Sequence, residues 1–136
     1  MYEKILVPIS DDDGTHTDAV LEVARVLVAQ KAEITLLHVI ESIPNYALTY
    51  IPEGVLEKGR QEMSQMLRDV AGRLGRGCQI VVKGGHIGRA ILDYASANGT
   101  DCIVMRSHRP ELQDVIFGST AAHVVRHAAC SVHMVR

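Results

Sequence analysis

Three consecutive residues, Gly118, Ser119 and Thr120, open a predicted helix and have the chemistry of a phosphate site. N–H groups in the first turn of a helix lack partners within the helix, and the helix dipole places partial positive charge there. The glycine would let an anion approach closely, and Arg109 would add a planar, charged donor. The alternative is an ordinary serine N-cap beside a solvated arginine, and the local sequence does not decide between the two.

The other patterns that could carry chemistry are less specific. The run from His86 to Arg89 resembles the HIGH signature of nucleotidyl transferases, but it follows the third predicted strand rather than the first. His123 and His127 have a spacing that suits zinc, yet no third ligand is apparent. Ser107 and His108 are adjacent, so strand alternation would point them apart rather than pair them as nucleophile and base. We therefore expect a binding protein and not an enzyme.

Buried strands alternate with amphipathic helices along the whole chain, and these elements must position the residues above. Apolar runs predict strands covered on both faces, and helical spacing predicts helices between them. The predicted strands are 4–9, 33–40, 78–83, 101–106 and 131–136, and the predicted helices are 15–30, 55–74, 87–99 and 118–128. Strict alternation predicts a parallel sheet with helices on both faces. Ligands bind such sheets at the carboxyl ends of the strands.

The sequence also predicts which residues of the first helix face the core, where a loop lies and how the cysteines are placed. The first helix is expected to bury one broad stripe, made of Ala19, Leu21, Val23, Val26, Leu27 and Ala29. Residues 41–53 carry prolines and are predicted to form a loop that leads into the long helix. The three cysteines, Cys78, Cys102 and Cys130, have no CxxC spacing and are read as reduced core thiols.

Composition bounds the class of protein. A chain of 136 residues, 47% hydrophobic and 22% charged, predicts one globular domain over residues 1–136. No apolar run approaches the roughly 20 residues that span a bilayer, and no signal segment is evident, so the cytoplasm is the expected location. A net charge of −2 gives no general attraction to nucleic acid.

The chain resembles the universal stress protein family from end to end. The likeness rests on ILVP in the first strand, LHV in the second, DCIVM in the fourth, Gly-Ser before the last helix and RHAAC at its end. This resemblance implies an open five-stranded parallel α/β sheet of order 3-2-1-4-5, Rossmann-like, with helices on both faces. It also implies a regulatory protein of the stress response that binds ATP, ADP or AMP, with Mg²⁺ accompanying the phosphates.

The sequence departs from the family pattern G-x2-G-x9-G-[ST] at two glycines. Arg106 and Arg109 occupy those positions, and the spacer to Gly118 is one residue shorter. The S-H-R-P form resembles a compact enterobacterial-type branch that still binds nucleotide. Ser10 stands where the family usually has an aspartate, and Asp11 or Asp12 either substitutes for it or belongs to a solvated loop.

By resemblance, the nucleotide site should gather residues from the strand ends and from the last helix. The expected set is Pro8, Ser10, Asp11, Val39, Gly85, Met105, Ser107, His108, Arg109, Gly118, Ser119 and Thr120. The closing strand SVHMVR is apolar, and in the family such strands pair across a two-fold axis, so a homodimer is expected. The alternatives are a monomer with a shielded edge and a nucleotide-free interaction module of the same fold.

Overall fold

The computed structural model of the protein describes residues 1–10, 14–107 and 118–136, with only the backbone for 14–16. Within these residues strands and helices alternate as the sequence predicts. The strands are β1 Tyr2–Pro8, β2 Val28–Glu41, β3 Gln79–Gly85, β4 Cys102–Arg106 and β5 Ser131–Val135. The helices are α1 Gly14–Leu27, α2 Asn45–Leu48, α3 Val55–Leu74, α4 Ile87–Ala97 and α5 Ser119–His127.

The five strands form one sheet in the order β3-β2-β1-β4-β5, and the pairings are parallel. The predicted fold and strand order are therefore confirmed. The central strand β1 pairs Pro8 with Leu37 of β2 and Leu6 with Ile103 of β4. This register brings the carboxyl ends of β1, β2 and β4 to the same edge of the sheet.

The sheet separates two hydrophobic cores. Alternate side chains of each strand point to opposite faces, so Leu36 lies in the core under α1 and α3, and Leu37 in the core under α4 and α5. On β4, Val104 belongs to the first core and Met105 to the second. Any ligand that sits across the strand ends can thus touch both cores.

The helix stripe predicted for α1 is wrong in part. Val20, Leu21 and Ala24 are fully or almost fully buried, whereas Val26 is 75% exposed. The apolar composition of α1 allows several stripes of similar hydrophobicity, and only the position of the sheet and α3 selects one. Ala19 is also exposed, while Val23 and Leu27 pack at the margin of the core.

The first helix and the second strand meet without a loop. We predicted the helix to Gln30 and the strand from Glu33, but α1 ends at Leu27 and β2 begins at Val28. Tyr2 of β1 pairs with Val28, so the strand gains backbone partners earlier than its apolar run suggests. By contrast, α3 has the predicted bounds, because Gly54 and Gly75 flank it with positive φ values of 86° and 76°.

Smaller differences have similar causes. β3 continues through Gly84 and Gly85 because both residues pair with the end of β2. The predicted loop 41–53 contains the short helix α2. Only one of the three free cysteines, Cys102, is fully buried, and the other two are half-buried. No helix among the described residues is long and apolar enough to cross a membrane.

Candidate nucleotide site

A cavity of about 630 Å³ opens at the carboxyl edge of the sheet. Its walls come from the ends of β1, β2 and β4, the first turn of α5, and parts of α1, α3 and α4. This volume lies within the range of ordinary small-molecule sites. Eight of the predicted site residues line it, namely Pro8, Ser10, Val39, Met105, Ser107, Gly118, Ser119 and Thr120.

Of the four other predicted residues, only Gly85 lies in the described part of the chain. Gly85 ends β3 and is not among the described residues that line the cavity. Its φ of 132° instead suits glycine at the strand end, where its carbonyl accepts a hydrogen bond from Ser42 N–H at 3.3 Å. Asp11, His108 and Arg109 lie outside the described residues, so their roles stay predictions.

Ser107 joins three elements at the floor of the site. Its N–H donates to the carbonyl of Val135 on β5 at 2.9 Å, and its carbonyl accepts from Gly118 N–H at 2.9 Å. Gly118 is the extended N-cap of α5, with φ −68° and ψ 163°. The Gly118 N–H is therefore engaged, and the first-turn N–H groups left to meet a ligand belong to Ser119, Thr120 and Ala121.

His38 is a buried histidine in the cavity wall that the sequence reasoning did not single out. It is 8% exposed, and its Nδ1 lies 2.8 Å from the carbonyl oxygen of Ile9. A carbonyl only accepts, so Nδ1 must carry the hydrogen of this bond. The second ring nitrogen, Nε2, then has a lone pair when the ring is neutral.

Charged side chains of both signs line the cavity. Arg106 at the end of β4 and Arg60 on α3 carry positive charge, and Glu41 at the end of β2 carries negative charge. Arg106 follows Val104 by two residues, so its side chain leaves the sheet on the face of α1 and α3. Arg106 already takes part in an interaction, as Ser10 and Ser107 do.

The wall formed by α3 was also missed at the level of sequence. Val55, Leu56, Gly59 and Met63 on the first half of this helix line the cavity. The available signal was the pair of apolar residues at the helix start, which remain about half exposed. For His38, the signal was a polar residue inside an apolar strand.

The histidines on α4 and α5 form a cluster of a different kind. His86 is the N-cap of α4, and its Nδ1 accepts a hydrogen bond from Arg89 N–H at 3.2 Å. The rings of His123 and His127 lie 4.7 Å apart. Among residues 1–10, 14–107 and 118–136, no three metal-ligating side chains are grouped so that they could hold an ion.

The model of the universal stress protein family matches residues 1–136. The chain belongs to that family. The universal stress protein of Methanothermobacter thermautotrophicus is 27% identical over 144 residues, which cover 100% of this chain and 97% of the relative. The solved structure of universal stress protein UspA from Lactobacillus plantarum is 25% identical, with a TM-score of 0.74 over 99% of this chain and 98% of the other.

Two solved structures of family members were determined with adenine nucleotides. One universal stress protein, in complex with cAMP, has a TM-score of 0.73 at 16% identity and covers 99% of this chain and 97% of its own. Another, from Archaeoglobus fulgidus in complex with dAMP, has a TM-score of 0.64 at 18% identity, with 99% and 98% covered. At these identities the likeness shows the shared fold.

Proposed function

We propose that this universal stress protein binds an adenine nucleotide in the cavity and acts in the cytoplasm as a nucleotide-responsive regulatory protein. The observation that carries the proposal is the extent of the cavity. It reaches from the end of β2, at Val39, across the end of β1 to the first turn of α5, at Ser119 and Thr120. One wall is apolar, and the opposite end offers backbone N–H groups.

The spacing of these features suits a nucleotide laid across the strand ends. β2, β1 and β4 are neighbours in the sheet. Adjacent strands lie about 4.8 Å apart, so the ends of β2 and β4 are separated by about 10 Å. That separation suits a base at β2, a ribose over β1 near Ser10, and phosphates beside β4 at the start of α5.

Phosphate recognition would fall to α5 and its hydroxyl side chains. The helix has nine residues, and no acidic residue lies in its first turn. The N–H groups of Ser119, Thr120 and Ala121 together with the helix dipole favour an anion. Mg²⁺ bound to the phosphates of ATP or ADP would arrive with the ligand, since the described residues provide no ligand set of their own.

The cAMP and dAMP complexes of family members support this ligand class. Both ligands are adenine nucleotides with a single phosphate, so they support recognition of adenosine and of one phosphate. The preference among ATP, ADP and AMP is part of the proposal.

The test is direct binding by the purified protein. Native mass spectrometry of freshly prepared protein should show a retained adenine nucleotide, and calorimetry of nucleotide-free protein should show saturable binding of ATP. An absence of binding by ATP, ADP and AMP at millimolar concentration would overturn the proposal. That result would instead favour an interaction module of the same fold that works without nucleotide.

We also propose that two copies pair through β5. This strand lies at the edge of the sheet, where unpaired backbone groups need a cover. Because Ser107 N–H bonds to the carbonyl of Val135, the main-chain groups of Val135 and His133 face β4. Those of Val132 and Met134, one residue away, therefore face the open edge. A second β5 arranged antiparallel about a two-fold axis would satisfy them.

A further inference from the structure

We infer that His38 selects the base by accepting a hydrogen bond from a 6-amino purine, so that the cavity discriminates against 6-keto purines. This inference rests on the proposed nucleotide binding and names the residue that reads the base. The supporting observations are the hydrogen bond at Nδ1, the burial of the ring and its place in the cavity wall.

The Ile9 carbonyl fixes the tautomer of the His38 ring. Nδ1 lies 2.8 Å from that oxygen and must donate to it. In the neutral imidazole the other nitrogen, Nε2, is then an acceptor. Moving the proton to Nε2 would leave two acceptors facing each other at Nδ1, which is unfavourable for buried polar groups. The ring therefore holds its acceptor toward whatever Nε2 meets.

The ring nitrogen Nε2 meets the cavity. Only the bond at Nδ1 is found for this ring within the described part of the chain. In the same part of the chain, no side-chain nitrogen or oxygen that is sealed from solvent lacks a hydrogen-bond partner. Nε2 is therefore accessible to solvent, although only 8% of the residue is exposed. The space that His38 borders is the cavity.

The position of His38 favours a base over a phosphate as its partner. It lies on β2, two strands away from β4 and the first turn of α5. Ile9, Val20 and Met63 give the cavity apolar residues on the face of His38. The positively charged Arg60 and Arg106 line the same cavity. A phosphate offers acceptors to Nε2, whereas the exocyclic amine of adenine offers a donor. A 6-keto purine would place an oxygen against the lone pair of Nε2.

The experiment compares ATP with ITP, which differ at the 6-position of the base, by calorimetry on the full chain. The parent should bind ATP at least about tenfold more tightly than ITP, because a site built for a hydrogen bond rejects a partner that leaves it unmade. In His38→Asn the amide still reaches the Ile9 carbonyl, but nothing stands at the Nε2 position. In this variant the ratio of ATP affinity to ITP affinity should fall to about threefold or less.

Two further variants separate selection from folding. Thr35→Val alters a residue on β2 that is also 8% exposed but does not line the cavity, and it should keep the parent ratio. His38→Gln places an amide near the Nε2 position and should retain part of the preference for ATP. An unchanged ratio in His38→Asn, or a parent with no preference for ATP, would overturn the inference.

A spectroscopic measurement on the parent removes the dependence on variants. The ¹⁵N resonance of Nε2 in His38 should shift when ATP binds and should not show that shift with ITP. Binding of ATP without any change at Nε2 would overturn the inference and leave the proposed function intact. Failure of the parent to bind either nucleotide would overturn the proposed function itself.

Discussion

Gly88 and His123 hold α4 and α5 in close contact. A β-carbon built at position 88 would stand 2.8 Å from Cδ2 of the His123 ring and 3.2 Å from Cγ. The 2.8 Å separation from Cδ2 is shorter than real carbon contacts allow. Since α5 carries the first-turn N–H groups of the candidate site, the missing side chain at Gly88 helps to set where that site lies.

Gly88→Ala should destabilise the protein. Alanine is the better helix former, but the overlap with His123 forces α4 and α5 apart, at a cost of about 1–3 kcal/mol. The free energy of unfolding from urea denaturation measures the change. Gly72→Ala is the matched control, because nothing lies within 4 Å of its β-carbon, and it should stabilise the protein by about 0.5–1 kcal/mol.

A double substitution checks the cause. His123→Ala in the Gly88→Ala background should recover most of the lost stability, since the overlapping ring is then absent. Equal effects of Gly88→Ala and Gly72→Ala would contradict the role of this contact.

Gly118→Val should weaken ATP binding by at least about tenfold and leave adenosine binding nearly unchanged. The backbone at Gly118 is extended, so valine fits its dihedral angles, and the effect would come from bulk beside the phosphates. Calorimetry with both ligands gives the comparison. Gly77→Val, where the β-carbon meets open space, should bind ATP like the parent. Unaltered ATP affinity in a folded Gly118→Val protein would show that the phosphates bind elsewhere.

Val132→Pro or Met134→Pro should convert a dimer into a monomer. Both main-chain N–H groups face the open edge of β5, so proline removes a donor to the second copy and spares the pairing with β4. Sedimentation equilibrium at micromolar concentration distinguishes the two masses. His133→Pro is the contrasting variant, because its N–H faces β4, and it should lower the stability of the fold. A monomeric parent would rule out the β5 interface.

Cys102 should react with iodoacetamide far more slowly than the half-buried cysteines. Burial raises the pKa of its thiol to about 11, with smaller contributions from Cys130 and Asp101. At pH 8 only about one thiol in a thousand is then ionised. Below the pKa, the fraction of reactive thiolate rises about tenfold for each unit by which the pH increases. Burial also raises the pKa of Cys78 and Cys130. Their greater exposure should still make them react first.

Peptide mapping by mass spectrometry follows the three sites separately. In concentrated urea the three rates should converge, because the burial that raises the pKa of Cys102 is lost. Modification of native Cys102 as fast as Cys78 at pH 8 would contradict the buried position of this thiol.

The sequence predicted those features that depend on local patterns or on the family likeness. The strand order, the bounds of α3 and the start of α5 next to Gly118 are of this kind. It did not predict that β2 begins at Val28, because that start depends on pairing with Tyr2 across the sheet. It also missed His38 as a cavity residue, since a bond to Ile9 from 29 residues away is invisible in a linear pattern.

The hydrogen bonds at Ser107 would connect the proposed nucleotide site to the proposed interface between two copies. One peptide group on each side of this residue holds β5 through Val135 and α5 through Gly118. A ligand that rigidifies the first turn of α5 would act next to the hydrogen bond between Gly118 and Ser107. Ser107 also holds the edge strand β5 through its hydrogen bond to Val135. If nucleotide raises the association constant of two copies by some factor, association must raise the affinity for nucleotide by the same factor. The fraction of the protein that binds nucleotide would then depend on the concentration of the protein as well as on that of the nucleotide.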